Sequence, residues 1–153
     1  MENSTARQPL SNKEKRDLDV EIGFLEGLTK RDPQYVEALQ LLGDNYTKRD
    51  RFHDGLTVDE HLSRLLPEDS MVHYNLACSY SLTDRIDESI TALVKAVHLG
   101  YDDSRWMDPD PDLNTVRTDP MMTMFSMLGR RLLILSPSTN LSICCAIPNT
   151  QKW

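Results

Sequence analysis

The stretch Leu42-Gly43-Asp44-Asn45-Tyr46-Thr47-Lys48-Arg49-Asp50-Arg51 is answered 34 residues later by Leu76-Ala77-Cys78-Ser79-Tyr80-Ser81-Leu82-Thr83-Asp84-Arg85. Leucine, tyrosine and an Asp-Arg pair fall in phase, and Pro33 and Pro67 keep the same spacing. A fixed period of this length is that of a helix–turn–helix unit. Stacked units of this kind build a surface for gripping other polypeptides and carry no chemistry of their own.

Counted from Val36, the first unit puts Leu39, Leu42, Gly43 and Tyr46 at positions 4, 7, 8 and 11, with Gly55 at 20, Leu62 at 27 and Pro67 at 32. Counted from Ser70, the second puts Leu76, Ala77 and Tyr80 at 7, 8 and 11, with Ser89 at 20, Leu93 at 24 and Ala96 at 27. Position 8 must be small where two helices cross closely, and Gly43 and Ala77 are small. Each tyrosine offers a ring for packing and a hydroxyl for a polar partner. Pro67 lacks a backbone N–H and ends the second helix of its unit. This pattern resembles the tetratricopeptide repeat (TPR) family, W-x₂-L-G-x₂-Y followed by a small residue, an aromatic and a proline. The chain departs from it in four places. Leu39 and His73 replace the tryptophan, Asp59 stands where an aromatic is usual, and Tyr101 replaces the second proline.

A partial third match lies upstream, with Pro33 as closing proline and Leu25 and Leu28 at positions 24 and 27. A truncated repeat is therefore expected from Ser11, where Ser11 and Glu14 form a capping box. The resemblance covers roughly residues 13–100.

In TPR proteins the first helix of each unit lines a concave groove. The resemblance implies that Glu37, Gln40, Asp44 and Thr47 face it from the first unit, and Met71, Tyr74, Asn75, Cys78 and Ser81 from the second. Met71 and Tyr74 would be its apolar anchors, and Asn75 would bond a ligand backbone. The bland alternative is a groove filled by solvent or by the chain's own tail. A narrower subtype grips the C-terminal carboxylate of chaperones with basic residues. Asn75 matches that subtype, but Gln40, Asp44 and Pro109 replace the remaining Lys, Asn and Arg. Carboxylate capture needs positive charge, so that subtype is not expected.

The 153 residues suffice for one domain with a real core. Charged residues make up 27% and hydrophobic ones 39%, ordinary for a globular protein. A net charge of −7 argues against nucleic acid and against an anionic membrane. Cys78, Cys144 and Cys145 are too few and too oddly placed for a disulfide framework. The first residues have no apolar segment like that of a signal peptide, and no apolar run approaches a bilayer span. A cytoplasmic location is expected. The Asn-x-Ser/Thr triplets at Asn3, Asn45 and Asn140 are then chance.

Five helices are expected over about residues 11–30, 34–48, 54–66, 69–82 and 86–99. The first carries Leu18, Ile22, Phe24, Leu25 and Leu28 on one broad face. The third carries Val58, Leu62, Leu65 and Leu66, and the fifth Ile86, Ile90, Leu93, Val94 and Val97. Gly100 stands at a C-cap. Beyond it the period falters at Pro109 and Pro111, and a short helix is expected over 112–116. Asp119-Pro120 starts a Met-rich helix to about residue 133, read as a cap over helix five. Its methionines read as flexible core filler before a binding face.

Other motifs carry less. Asp108, Asp110, Asp112 and Asp119 alternate like calcium ligands, but Leu113 replaces the required glycine and prolines interrupt the loop. Helix capping explains them more simply. His53, His61, His73 and His98 lack ligand spacing. No glycine-rich phosphate loop and no nucleophile elbow occurs.

The expected fold is all-α, a short right-handed TPR-like solenoid of antiparallel helix pairs. Residues 1–10 form a disordered tail and 11–135 the helical domain. That domain divides into a truncated repeat 11–33, repeats 36–69 and 70–103, and a divergent cap 104–135, before a loose tail 136–153. The expected function is a scaffold that binds a protein or peptide partner, with no catalysis, cofactor or metal. The alternatives are a homodimer through the C-terminal apolar helix and, remotely, a cysteine-dependent hydrolase using Cys144.

Overall fold

The computed structural model describes residues 9–101, 110–118 and Pro120. Those residues are helical, with no strand among them. The helices are α1 (Asn12–Arg31), α2 (Val36–Lys48), α3 (Phe52–Leu65), α4 (Ser70–Leu82), α5 (Ile86–His98) and α6 (Asn114–Arg117). A one-turn 3₁₀ helix, Pro111–Leu113, precedes α6. No helix among them is long and apolar enough to cross a membrane. The expected Met-rich helix from residue 121, the tail 136–153 and residues 1–8 of the N-terminal tail lie outside the described residues.

The helix boundaries have local causes. The Ser11 side chain accepts from the Glu14 backbone, while the Glu14 carboxylate accepts from the Ser11 N–H at 2.8 Å, closing the capping box expected for α1. Asp69 caps α4 by accepting from the N–H groups of Met71 and Val72. The α2–α3 and α4–α5 connections are each three residues long, so each pair turns back on itself. Both turns use a left-handed aspartate, Asp50 at φ 61° and Asp84 at φ 59°. Each lets the following arginine N–H reach the tyrosine carbonyl five residues back, Arg51 to Tyr46 at 2.8 Å and Arg85 to Tyr80 at 2.9 Å. Gly100, at φ 92°, serves α5 in the same way.

Each helix packs against its chain neighbour, and the 3₁₀ turn and α6 pack on α4. One core cluster joins α1, α2 and α3 with Val72 of α4, through Ile22, Leu39, Leu42 and Leu62. A second joins α4 and α5 to α6, through Leu76, Ala77, Leu93 and Val116.

The buried faces differ from the expected stripes at several points. Spacing places Phe24 inside, but it is 66% exposed, and Val20 beside it is 74% exposed. No helix precedes α1 to cover them among the described residues. On α5 the inward residues are Ser89, Ala92, Leu93 and Ala96, while Val97 is exposed. Small residues face α4 because the two backbones approach closely there, and the Ser89 hydroxyl donates to the Ala77 carbonyl at 2.6 Å. Leu56 of α3 is buried although it lies off the expected stripe.

Candidate functional site

The α2 sequence places Glu37, Gln40, Asp44 and Thr47 at i, i+3, i+7 and i+10, one face of a helix. Asp44 and Thr47 of that face line a cleft of about 370 Å³ whose other walls come from α3, α4 and the 3₁₀ turn. Asp44, Thr47 and Lys48 form one side, and Tyr74, Asn75 and Cys78 the other. Asp59 of α3 also lines it, as do Asp110 and Asp112 at the 3₁₀ turn.

Gly43 gives Asp59 its place. A Cβ at Gly43 would stand 3.1 Å from Asp59 Oδ1. Asp59 is only 8% exposed. The Ser79 hydroxyl donates to its Oδ2, while Oδ1 takes no donor among the described residues. Burial pushes the Asp59 carboxyl up to about 6, the Ser79 hydrogen bond opposes this, and the nearby Asp44 charge adds to it.

Tyr74 belongs to the wall. Its ring stacks on Tyr101, with centroids 4.4 Å apart, and its hydroxyl donates to Asp110 at 2.6 Å. Asp110 also accepts from the Asp112 backbone N–H, capping the 3₁₀ turn. Burial, with smaller contributions from Asp110 and Asp112, raises the Cys78 thiol well above its ordinary range. Burial thus disfavours the thiolate form that would make Cys78 a nucleophile.

The structure brings five of the nine expected groove residues into this cleft: Asp44, Thr47, Tyr74, Asn75 and Cys78. Glu37, Gln40 and Met71 are exposed outside it. Two expectations need correction. Tyr74 is covered by Tyr101 and is not a free anchor, because the chain after α5 folds back over it. Ser81 is 1% exposed, with its hydroxyl unpartnered, because its face of α4 turns into the core. The groove pattern omits Asp59. Its signal is a charge on the apolar side of α3, between Val58 and Leu62, at a position where the resemblance leads one to expect an aromatic. Of the aspartates considered for calcium, Asp110 and Asp112 are engaged as described, and Asp108 and Asp119 lie outside the described residues. Cys144, named for the hydrolase alternative, lies outside them as well.

No family model matches the chain. It is 31% identical over 107 residues to a protein of Arabidopsis thaliana whose name describes it as chloroplastic. The match covers 65% of this chain and 30% of that protein, so the chain spans under a third of the relative's length.

Proposed function

We propose that the chain is a tetratricopeptide-like interaction module that holds a partner polypeptide in the cleft between α2 and α4, by association without a reaction. The observation that carries this reading is the in-phase recurrence of local geometry. Helices begin at Val36 and Ser70, and again at Phe52 and Ile86, each pair 34 residues apart. The turns at Asp50 and Asp84 share one left-handed conformation. Stacked hairpins with this period leave their first helices side by side, which makes a shared hollow. Half-buried polar groups such as Asn75 would set the register of a bound backbone, and exposed Leu41 and Met71 would contribute apolar contact.

Affinity capture with the full chain and its Asn75→Ala and Met71→Ala variants tests this reading. Partners that survive both substitutions undiminished would refute the groove assignment. A second reading is self-association, favoured by exposed Val20 and Phe24 on α1. Light scattering over a concentration series separates the two, since a constant monomer mass disposes of it. The proposed compartment is the cytoplasm. The relative's name makes the chloroplast the competing location, and imaging of a fluorescent fusion decides between them.

A further inference from the structure

The cleft is unusual in its charge. Asp44, Asp59, Asp110 and Asp112 contribute four carboxylates, against one ammonium from Lys48. Asp110 is occupied by Tyr74 and by its own turn. Asp44 also lines the cleft and is exposed. Asp59 in the wall is a different matter. A carboxylate that is nine-tenths buried, with one oxygen left without a donor, is costly to keep unless a cation or further donors reach it. Gly43 carries no Cβ, so no side chain at that position covers Oδ1, and both residues line the hollow.

We propose that this cleft receives an arginine side chain from an extended, basic partner segment, with Asp59 as the inner contact and Asp44 as the outer one. This rests on the groove reading above and names the class of its partner. A guanidinium is planar, carries five donors and satisfies two carboxylates at once. The aliphatic stem of an arginine can lie along the wall while its charged head reaches the carboxylates, in a cleft of about 370 Å³. Leu41, one turn before Asp44, and Met71, one turn before Asn75, are both exposed on the flanking helices. They give apolar seats for the residues on either side of the arginine. Burial of Asp59 drives the choice of a cation, because its charge finds no compensating cation inside the fold.

The test uses the full chain labelled with ¹⁵N and three degenerate pools of capped nonapeptides. Their central residue is arginine, its neutral isostere citrulline, or glutamate. The arginine pool should shift the amide signals of Gly43, Asp44 and Asn75, with an affinity at least about tenfold above that of the citrulline pool. Asp44→Asn and Asp59→Asn should each collapse that preference to about twofold or less. Asp87→Asn, an equal change in net charge on the exposed start of α5, should preserve it. Asp44 is a surface residue, so its variant keeps the test valid even if Asp59→Asn perturbs folding. Equal binding of the arginine and citrulline pools at these signals would overturn the basic-partner inference and leave the groove reading intact. A preference for the glutamate pool would do the same. If no pool moves these signals, both readings fall.

Discussion

The Tyr46 hydroxyl donates to the Glu26 carboxylate across 2.7 Å, tying α2 to α1. The same bond recurs one period later, from Tyr80 to Glu60 at 3.2 Å. Each ring also lies under a guanidinium, Arg51 at 4.4 Å from the Tyr46 centroid and Arg85 at 4.6 Å from that of Tyr80. Each arginine then pairs with the carboxylate three residues on, Asp54 or Glu88. The repeat thus preserves a polar staple between successive hairpins as well as an apolar core. Tyr46→Phe should cost about 1 kcal/mol in denaturant-induced unfolding, and Tyr80→Phe, with its longer bond, less. Equal effects, or none, would show that the rings alone matter.

Gly43 and Gly55 meet across the α2–α3 contact, but alanine should act differently at each. At Gly43 the new Cβ would meet Asp59 Oδ1 at 3.1 Å, and Asp59 is anchored by Ser79. At Gly55 the nearest atom is Thr47 Oγ1 at 3.4 Å, an ordinary contact. Alanine favours a helix over glycine by about 1 kcal/mol. Gly55→Ala should therefore be neutral or raise the melting temperature. Gly43→Ala should be less stable than Gly55→Ala by about 1–2 kcal/mol, read by parallel thermal melts.

The turn aspartates sit in a region that L-residues with a branched side chain adopt only under strain. Asp84 has φ 59°. Asp84→Val should lose about 2 kcal/mol, and Asp84→Gly should match or exceed the parent stability. Chemical denaturation of the three proteins checks the order. Asp50, at φ 61°, should behave alike.

Asp59 should make stability depend on pH. Its carboxyl is raised from 3.8 to about 6 by burial, so the folded chain retains a proton that the unfolded chain releases within that window. The folded state binds more protons there, and stability falls as pH rises through it. The contribution is fully present below the unfolded value and is lost above about 6, by an amount on the order of 3 kcal/mol. Asp59→Asn removes the desolvated charge and leaves an oxygen to accept from Ser79. Its stability relative to the parent should therefore increase from about pH 4 to about pH 7. A difference that stays flat across this range would contradict the buried-charge account.

The linear pattern determined by itself that the chain makes helices in pairs, where they begin and end to within about two residues, and which face of α2 looks outward. Those features depend on neighbours along the chain: a capping serine, a proline that cannot donate, an apolar residue every third or fourth place. Only the tertiary structure decided what each face meets. Phe24 is exposed because no described helix lies against it, although its spacing matches that of buried residues. Tyr74 is covered because Tyr101, 27 residues away, returns to stack on it. Asp59 became a buried carboxylate only when α2 and α4 closed around α3. Its charge lay in plain view on the strip, but its desolvation is a property of the packed volume and has no counterpart in the order of residues.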